Sequence, residues 1–293
     1  MKWWTRTRGR RRALQWTVRI SALLILAALV WGFVWEPGRL VERDYAVPLP
    51  GWPTQCDGLR LDVIADTHTG SPHNGIDNLD RVVRRLIASD SKAVLMAGDY
   101  VILSVFLGTY VPAEKFASHL RPLTARKPVY AVLGNHDWWK DGAKVRRALE
   151  SAGVVVLENR AQELELGRCR FWVVGLGDFW EGHPSIGPTF AAIDDDAPAI
   201  AITHNPDLFP RIPARASLTV AGHTHGGQVR LPLIGAPVVP ANPRYVSGVV
   251  VEKGRTLFVS PGIGTSILPV RFGVPPEISR LTLRSAPAVG SQP

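Results

Sequence analysis

The sequence predicts an α/β protein: a two-sheet β-sandwich flanked by helices, behind one N-terminal transmembrane helix. Three observations carry this. First, the runs Leu59 to Ala65, Ala93 to Ala97, Val129 to Leu133, Phe171 to Gly175, Ile200 to Thr203 and Leu218 to Ala221 are short, β-branched and ended by Gly, Asp or His, as buried strands are. Second, helical stretches separate the early runs. Ile76 to Ala88 repeats its apolar residues with helical spacing at Ile76, Leu79, Val82, Val83, Leu86 and Ile87, and Lys144 to Ala152 suits another helix. Strand, helix, strand at this interval argues βαβ units in a layered domain. Third, the later segments Val249 to Glu252, Thr256 to Val259 and Ile278 to Leu283 lie among many Gly and Pro and suit antiparallel strands, which favours a sandwich over one doubly wound sheet.

Composition narrows the class. The chain has 293 residues, 46% hydrophobic and 20% charged, with two cysteines, which excludes a disordered chain and a disulfide-dense scaffold. The net charge is +9, but Lys2, Arg6, Arg8, Arg10, Arg11, Arg12 and Arg19 supply +7 of it and no acid precedes Glu36. The remainder is nearly neutral and has no basic stripe, so no dedicated nucleic-acid partner is expected.

The charge belongs to a targeting segment. Residues 1–19 read as a basic cytoplasmic segment and 20–35 as a transmembrane anchor or uncleaved signal, since Ile20 to Trp35 carries no charge until Glu36. Trp3, Trp4 and Trp16 on one side and Trp31 and Trp35 on the other match the aromatic belts of bilayer interfaces. Arg10-Arg11-Arg12-Ala13-Leu14 loosely fits a twin-arginine signal. The positive-inside rule places everything after about Glu36 on the non-cytoplasmic side. Residues 36–58, with Pro37, Pro48, Pro50 and Pro53, read as a linker, 59–285 as the folded domain and 286–293 as a flexible tail. Cys56 and Cys169 could pair in an exported domain or stay as separate buried thiols, and the sequence leaves both open.

The strand ends carry the chemistry. One run ends in Asp66-Thr67-His68, the next in Gly98-Asp99, then Gly134-Asn135-His136-Asp137, His204, and Gly222-His223-Thr224-His225. Carboxyl ends of strands form the ligand crevice of α/β sheets, so these residues converge in space. Carboxylate, imidazole and amide oxygen suit a hard-to-borderline divalent cation. Seven donor residues exceed one tetrahedral site and suit two ions about 3.5 to 4 Å apart sharing a carboxylate.

In their order and spacing these five blocks resemble the calcineurin-like metallophosphoesterase superfamily, over roughly residues 59 to 285. Gly226-Gly227-Gln228 after the last block is similar to a membrane-anchored bacterial branch of it. The resemblance implies one metal held by Asp66, His68 and His225, a second held by Asn135, His204 and His223, and Asp99 bridging them. It implies two divalent ions (Mn, Fe or Zn) and hydrolysis of phosphomono- or diesters by a metal-bridging hydroxide. His136 matches the histidine that protonates the leaving oxygen or steadies the phosphoryl group without binding metal. Many relatives carry a second acid three residues after the bridging Asp; here Ile102 stands there, so whatever orients His136 comes from elsewhere.

The anchor points to the bilayer as a partner, to a bacterial plasma-membrane location and to a lipid-linked or envelope phosphoester. Two alternatives stand beside this. One is a UDP-2,3-diacylglucosamine pyrophosphatase of lipid A synthesis, a cytoplasmic reaction at odds with the topology; the other is a non-catalytic envelope scaffold. His73, Gly227 and Gln228 are candidate substrate contacts. Asp137 is expected behind the ligands or in a turn, Asp178 and Asp194-Asp195-Asp196 in solvated loops, His119 on a helix surface and His183 in a loop. For Trp138-Trp139 the sequence leaves three roles open: walling the pocket, meeting lipid or plain packing.

Overall fold

A computed structural model describes residues 2–287. The chain opens with helix α1 (Lys2–Val30) and one π-helical turn at Trp31–Trp35. Then come β1 (Val41–Pro50), β2 (Arg60–Ile64), α2 (Ile76–Ala88), β3 (Ala93–Ala97), the short helices α3 (Ala113–Ser118) and α4 (Arg121–Thr124), and β4 (Val129–Val132). After them run α5 (Asn135–Ser151), β5 (Val155–Val156), β6 (Arg160–Leu166), β7 (Cys169–Gly175), α6 (Ile186–Ala191), β8 (Ala199–Ile202) and β9 (Ala216–Ala221). Strands β10 (Gly248–Glu252), β11 (Arg255–Val259) and β12 (Glu277–Ala286) close the domain. Residues 288–293 of the expected tail lie outside the described residues.

The strands form two six-stranded sheets, ordered β1-β12-β2-β3-β4-β5 and β10-β11-β9-β8-β7-β6. Period-two alternation explains the three layers. Leu61, Val63, Leu95, Val132, Phe171, Val173, Ile200, Leu218, Val220 and Phe258 interleave between the sheets. Ile64, Val94, Met96 and Ala131 face outward beneath α2, α3 and α5, and Val174, Ala199 and Ala201 lie beneath α6. The sandwich flanked by helices is thus the observed architecture.

Three details differ from the sequence reading. The stretch 36–58 is no linker throughout, because β1 pairs in parallel with β12 over the full register Val41↔Glu277 to Pro50↔Ala286. Its prolines fit because β1 is an edge strand with one free side. The later segments are antiparallel only in part: β10 pairs β11 and β12 pairs β2 antiparallel, but β11 pairs β9 and β12 pairs β1 in parallel, and β7, β8, β9 and β11 of the second sheet all run parallel. The helix expected from Lys144 begins earlier, at Asn135, and Asp141 leaves helical geometry before its carboxylate caps the second segment through Lys144 N at 3.0 Å.

Cys56 and Cys169 form a disulfide, joining the turn before β2 to β7 across the two sheets. Helix α1 with its extension is the one segment among the described residues long and apolar enough to cross a membrane. Trp16 and Trp35, both exposed, are separated by about 28 Å at helical rise, close to a hydrocarbon core.

Candidate metal centre and active site

Parallel strands leave the sheets side by side, so β2, β3, β4, β8 and β9 deliver their terminal residues to one end of the sandwich. Asp66 and His68 follow β2, Asp99 follows β3, Asn135 and His136 open α5 after β4, His204 follows β8, and His223 and His225 follow β9. Turning these side chains inward costs backbone strain. Asp66 (φ 49°), His68 (37°), Asp99 (59°), His223 (72°) and His225 (52°) all occupy the left-handed region, which residues with a Cβ rarely adopt. Five of seven expected ligands sharing that geometry marks a site where the surrounding structure enforces it. Gly98 and Gly134 make the approach possible: a Cβ on Gly98 would lie 2.6 Å from His204 Nδ1, and one on Gly134 2.1 Å from Asp99 Oδ1.

The donors gather in two clusters. In the first, His68 Nε2 is 3.2 Å from His225 Nε2, and His225 Nε2 is 3.6 Å from Asp66 Oδ1. In the second, His204 Nε2 lies 3.1 Å from both Asn135 Oδ1 and His223 Nδ1. Asp99 Oδ2 faces both, 3.4 Å from His68 Nε2 and 3.3 Å from His204 Nε2. All seven residues are buried. Donors around an ion bound at about 2.0 to 2.2 Å lie about 3.0 to 3.6 Å apart, which is the spacing seen.

Hydrogen-bond bookkeeping tests the fit. His204 Nδ1–H donates to the Ala97 carbonyl at 2.7 Å and His223 Nε2–H to the Pro240 carbonyl at 3.3 Å. A carbonyl only accepts, so in each neutral ring the remaining nitrogen presents a lone pair to the cavity. Those two nitrogens meet at 3.1 Å beside the oxygens of Asp99 and Asn135, a cluster that a bound cation satisfies and that, without one, a proton on His204 Nε2 satisfies. The carbonyl contacts are also the outer partners that fix the orientation of metal-binding histidines.

The electrostatics agree. Burial alone would lower His204, yet Asp99 and then Asp66 raise it to about 10, so the pocket draws positive charge. Asp99 is held well below the usual carboxylate range, because His204, His68 and His136 outweigh its burial. Burial lowers His223 to about 3 and His225 well below its ordinary value, keeping both neutral as ligation needs. Burial, with Asp99 adding to it, pushes Asp66 up to about 6.

His136 stands beside the first cluster. Its backbone N–H donates to Asp99 Oδ1 at 2.9 Å, and its ring sits edge-on to His68 with centroids 4.7 Å apart. Its Nδ1 is buried without a partner, so packing between His68 and Trp139 orients the ring. Buried Ile102 offers nothing at the place of the missing acid. Trp139 stacks on Trp180, whose ring lies edge-on to His223, so Trp139 walls the cleft while Trp138 packs on the core under α5.

The remaining expectations divide. His73 turns to the anchor, its Nε2–H donating to the Phe33 carbonyl at 3.0 Å. Gln228 spends its side chain on a loop, accepting Ser266 N at 2.6 Å, and a Cβ on Gly227 would strike Ala236. Each of the three thus has a partner or close neighbour within the chain. Asp137 is buried behind the ligands. Asp178 is buried too, contrary to a solvated loop, and holds Trp180 N and Glu181 N at 2.8 and 3.0 Å. His119 pairs with Asp80 at 2.7 Å on the outer helices, and Asp195 pairs with Arg170 and Arg215. Sequence reasoning missed Arg271, wholly buried, whose guanidinium donates to the carbonyls of Pro261, Gly264 and Val274 and braces the loop over Asp66. A lone arginine in a loop gives no signal in one sequence.

A two-sheet sandwich with helices on both faces and paired His/Asp clusters at its strand ends defines a metal-dependent phosphoric ester hydrolase. A family profile described as calcineurin-like phosphoesterase matches residues 59–227, more than half of the chain, and the chain belongs to that family. It is similar to the phosphodiesterase YaeI of Escherichia coli (34% identity, over 65% of this chain and 69% of the relative). It is also similar to the uncharacterized metallophosphoesterase YkuE of Bacillus subtilis (28%, over 85% and 87%). A third relative is a transmembrane protein with metallophosphoesterase domain from Danio rerio (28%, over 91% of this chain and 63% of that protein).

Proposed function

We propose that the chain is a membrane-anchored, dinuclear-metal phosphoesterase acting outside the cytoplasm on a lipid or envelope phosphoester. The observation that carries it is Asp99 Oδ2, one carboxylate oxygen shared between two donor clusters. Asp66, His68 and His225 would hold one divalent ion, Asn135, His204 and His223 the other, and Asp99 both. When bound, two such ions supply Lewis acidity, a nucleophile at neutral pH and charge neutralisation at the phosphoryl oxygens. The chain supplies the rest. Asp99 would stand between two cationic centres, and the strained backbone fixes the donors in advance, so little reorganisation would be needed on binding. His136, held near the first cluster by its N–H on Asp99, would donate a proton to the leaving oxygen or steady the phosphoryl group.

Helix α1 with its tryptophans supports the anchor, and the seven basic residues that precede its uncharged stretch support a cytoplasmic N-terminus. The Cys56–Cys169 disulfide favours an oxidising compartment, and so weighs against a cytoplasmic lipid A reaction. The name phosphodiesterase carried by the Escherichia coli relative favours a diester. The test is hydrolysis of bis-p-nitrophenyl phosphate by the full chain with added Mn²⁺ against a chelated control, then ³¹P NMR on fractionated membrane and cell-wall phosphoesters. No rate above the control would favour the scaffold. Protection of the domain from protease in intact spheroplasts would reverse the topology.

A further inference from the structure

The three most exposed large apolar side chains among the described residues are Leu233, Leu107 and Ile267, at 108%, 77% and 74%. All three occupy left-handed backbone, at φ 66°, 61° and 63°. That region is unfavourable for leucine and worse for β-branched isoleucine, so the chain accepts strain to hold apolar tips in the open. Phe106, Ile234 and Val238, in the same loops, are exposed as well. Scattered exposed apolar residues need no explanation, but a set carried on loops that are tied together does.

The loops that carry these tips form one body. Phe106 N donates to the Ile267 carbonyl at 2.9 Å, and Arg230 N to the Phe272 carbonyl at 2.7 Å. Each loop is also an extension of the metal centre. The first follows Asp99, the second follows His225, and the third rests on the first cluster through Gly264 N on the Asp66 carbonyl at 2.7 Å.

The same loops grip the base of the apolar helix. Arg271 N donates to the Gly32 carbonyl at 2.9 Å, and Gly273 N to the Glu36 carboxylate, also at 2.9 Å. Glu36 is buried and accepts Trp31 Nε1 as well, while His73 holds the Phe33 carbonyl. Chain from Trp31 to Glu36 therefore docks on these loops, and Trp31 and Trp35 within it are exposed. Hydrogen bonds thus tie the base of the helix to the loops that carry the apolar tips.

We propose that this rim, led by Leu107, Leu233 and Ile267, lies in the interfacial layer of the bilayer that holds α1, so that the cleft over Asp99 opens at the headgroup plane and takes phosphoesters whose acyl chains stay in the membrane. The occupant is the lipid surface itself, because the loops that carry the exposed apolar tips are hydrogen-bonded to the base of the helix that enters it. Interfacial insertion scales with apolar area, and strained apolar tips flanked by tryptophans are suited to it. The inference rests on the anchored phosphoesterase reading and names its substrate class.

The test uses the full chain in vesicles of phosphatidylethanolamine and phosphatidylglycerol. Leu107→Cys, Ile267→Cys and, at the opposite end of the sandwich before β4, Arg126→Cys each receive an environment-sensitive fluorophore. Brominated lipids should quench the probes at 107 and 267 while iodide does not, and the probe at 126 should show the reverse. Iodide quenching at all three positions would overturn the rim, as would protection of 107 and 267 from both quenchers, which would mean that a second copy or a protein partner covers it.

A kinetic arm uses the double variant Leu107→Asp with Ile267→Asp. Its rate on hexadecyl p-nitrophenyl phosphate in vesicles should fall about tenfold or more while soluble bis-p-nitrophenyl phosphate is cleaved as before. Equal rates on both substrates relative to the parent would overturn the proposal. A parent chain inert toward both would instead sink the phosphoesterase reading and leave the quenching result to decide the rim.

Discussion

The carboxylate of Asp137 accepts the backbone N–H of Asp99 at 2.9 Å, and so sets the position of the one residue that both donor clusters share. It also accepts Tyr100 N at 2.9 Å, Val101 N at 3.2 Å and Gly134 N at 3.0 Å, tying the β3 turn to the start of α5. Asp137→Asn puts an NH₂ where backbone donors converge, so at least one of them loses its acceptor. Because Asp137 positions the ligands without touching metal, the variant should bind metal about 10 to 100 times more weakly and regain activity at high Mn²⁺. Metal titration followed by assay checks this. Unchanged affinity would reduce Asp137 to a turn residue.

Asp99→Asn keeps the oxygen that His136 N needs but removes the anion between two cations. The purified variant should hold clearly less than two equivalents of metal and lose more activity than any single change among the terminal ligands. Two full equivalents by elemental analysis, with activity, would remove Asp99 from the shared role.

Much of this site was legible because ligand residues interrupt apolar runs abruptly, as at Asp66 after Ile64-Ala65 and at Asn135 after Leu133-Gly134. What the sequence hid was long-range pairing. Strand β1 carries Glu42, Arg43, Asp44 and two prolines, so it lacks a strand's pattern, and only its parallel partner β12 more than two hundred residues later makes it one. Strand direction in the second sheet was hidden for a related reason: a short apolar run has no polarity until its connection is known. Asp178 looked solvated because its burial comes from Trp180 and the loop around it, which no local pattern announces. Arg271 was hidden likewise, since its partners are backbone carbonyls, and Glu36 because one of its two partners, Gly273 N, lies more than two hundred residues away.

Glu158 provides a pH test away from the metal ligands. Its Oε1 accepts Leu133 N at 2.7 Å, its Oε2 has no partner, and burial, with Asp178 and Asp137 adding to it, pushes its pKa up to about 8. The unfolded side chain ionises near 4.5 while the folded one keeps its proton, so the folded state binds more protons in between. Stability from this group therefore falls as pH rises from about 4.5 to about 8, by about 1.4 kcal/mol per unit at most. Glu158→Gln, which keeps an acceptor for Leu133, should be more stable than the parent near pH 8 and show little advantage near pH 5. Melts across that range giving a constant difference would reject the buried, protonated Glu158.

The Cys56–Cys169 bond spans 113 residues and crosses between the sheets. In the chain-entropy description a loop of that size contributes about 4 to 5 kcal/mol. Cys56→Ser with Cys169→Ser should lower the melting temperature and make it insensitive to reductant, whereas the parent should melt lower once reduced. A parent that ignores reductant and yields two alkylatable thiols without it would show that the pair is not joined in the cell.

His136 is the residue whose chemistry the geometry constrains least, since no carboxylate holds its ring and Ile102 replaces the acid that many relatives carry. Its place beside His68, with its N–H on Asp99, is compatible with two different roles. A proton donor contributes about 10² to 10⁴-fold, and more when the leaving group is a poor one. His136→Asn keeps a hydrogen-bond donor and leaves the backbone bond to Asp99, so both metals should remain bound. If the imidazole protonates the departing oxygen, the variant should slow an alkyl phosphodiester strongly and a p-nitrophenyl ester far less, because p-nitrophenolate departs without a proton. If the ring instead steadies charge on the phosphoryl oxygens, both substrates should slow by the same factor, since that charge develops whichever group departs. Measuring kcat/KM for the two substrates on the metal-loaded variant separates the roles, and equal losses would assign His136 to charge stabilisation alone.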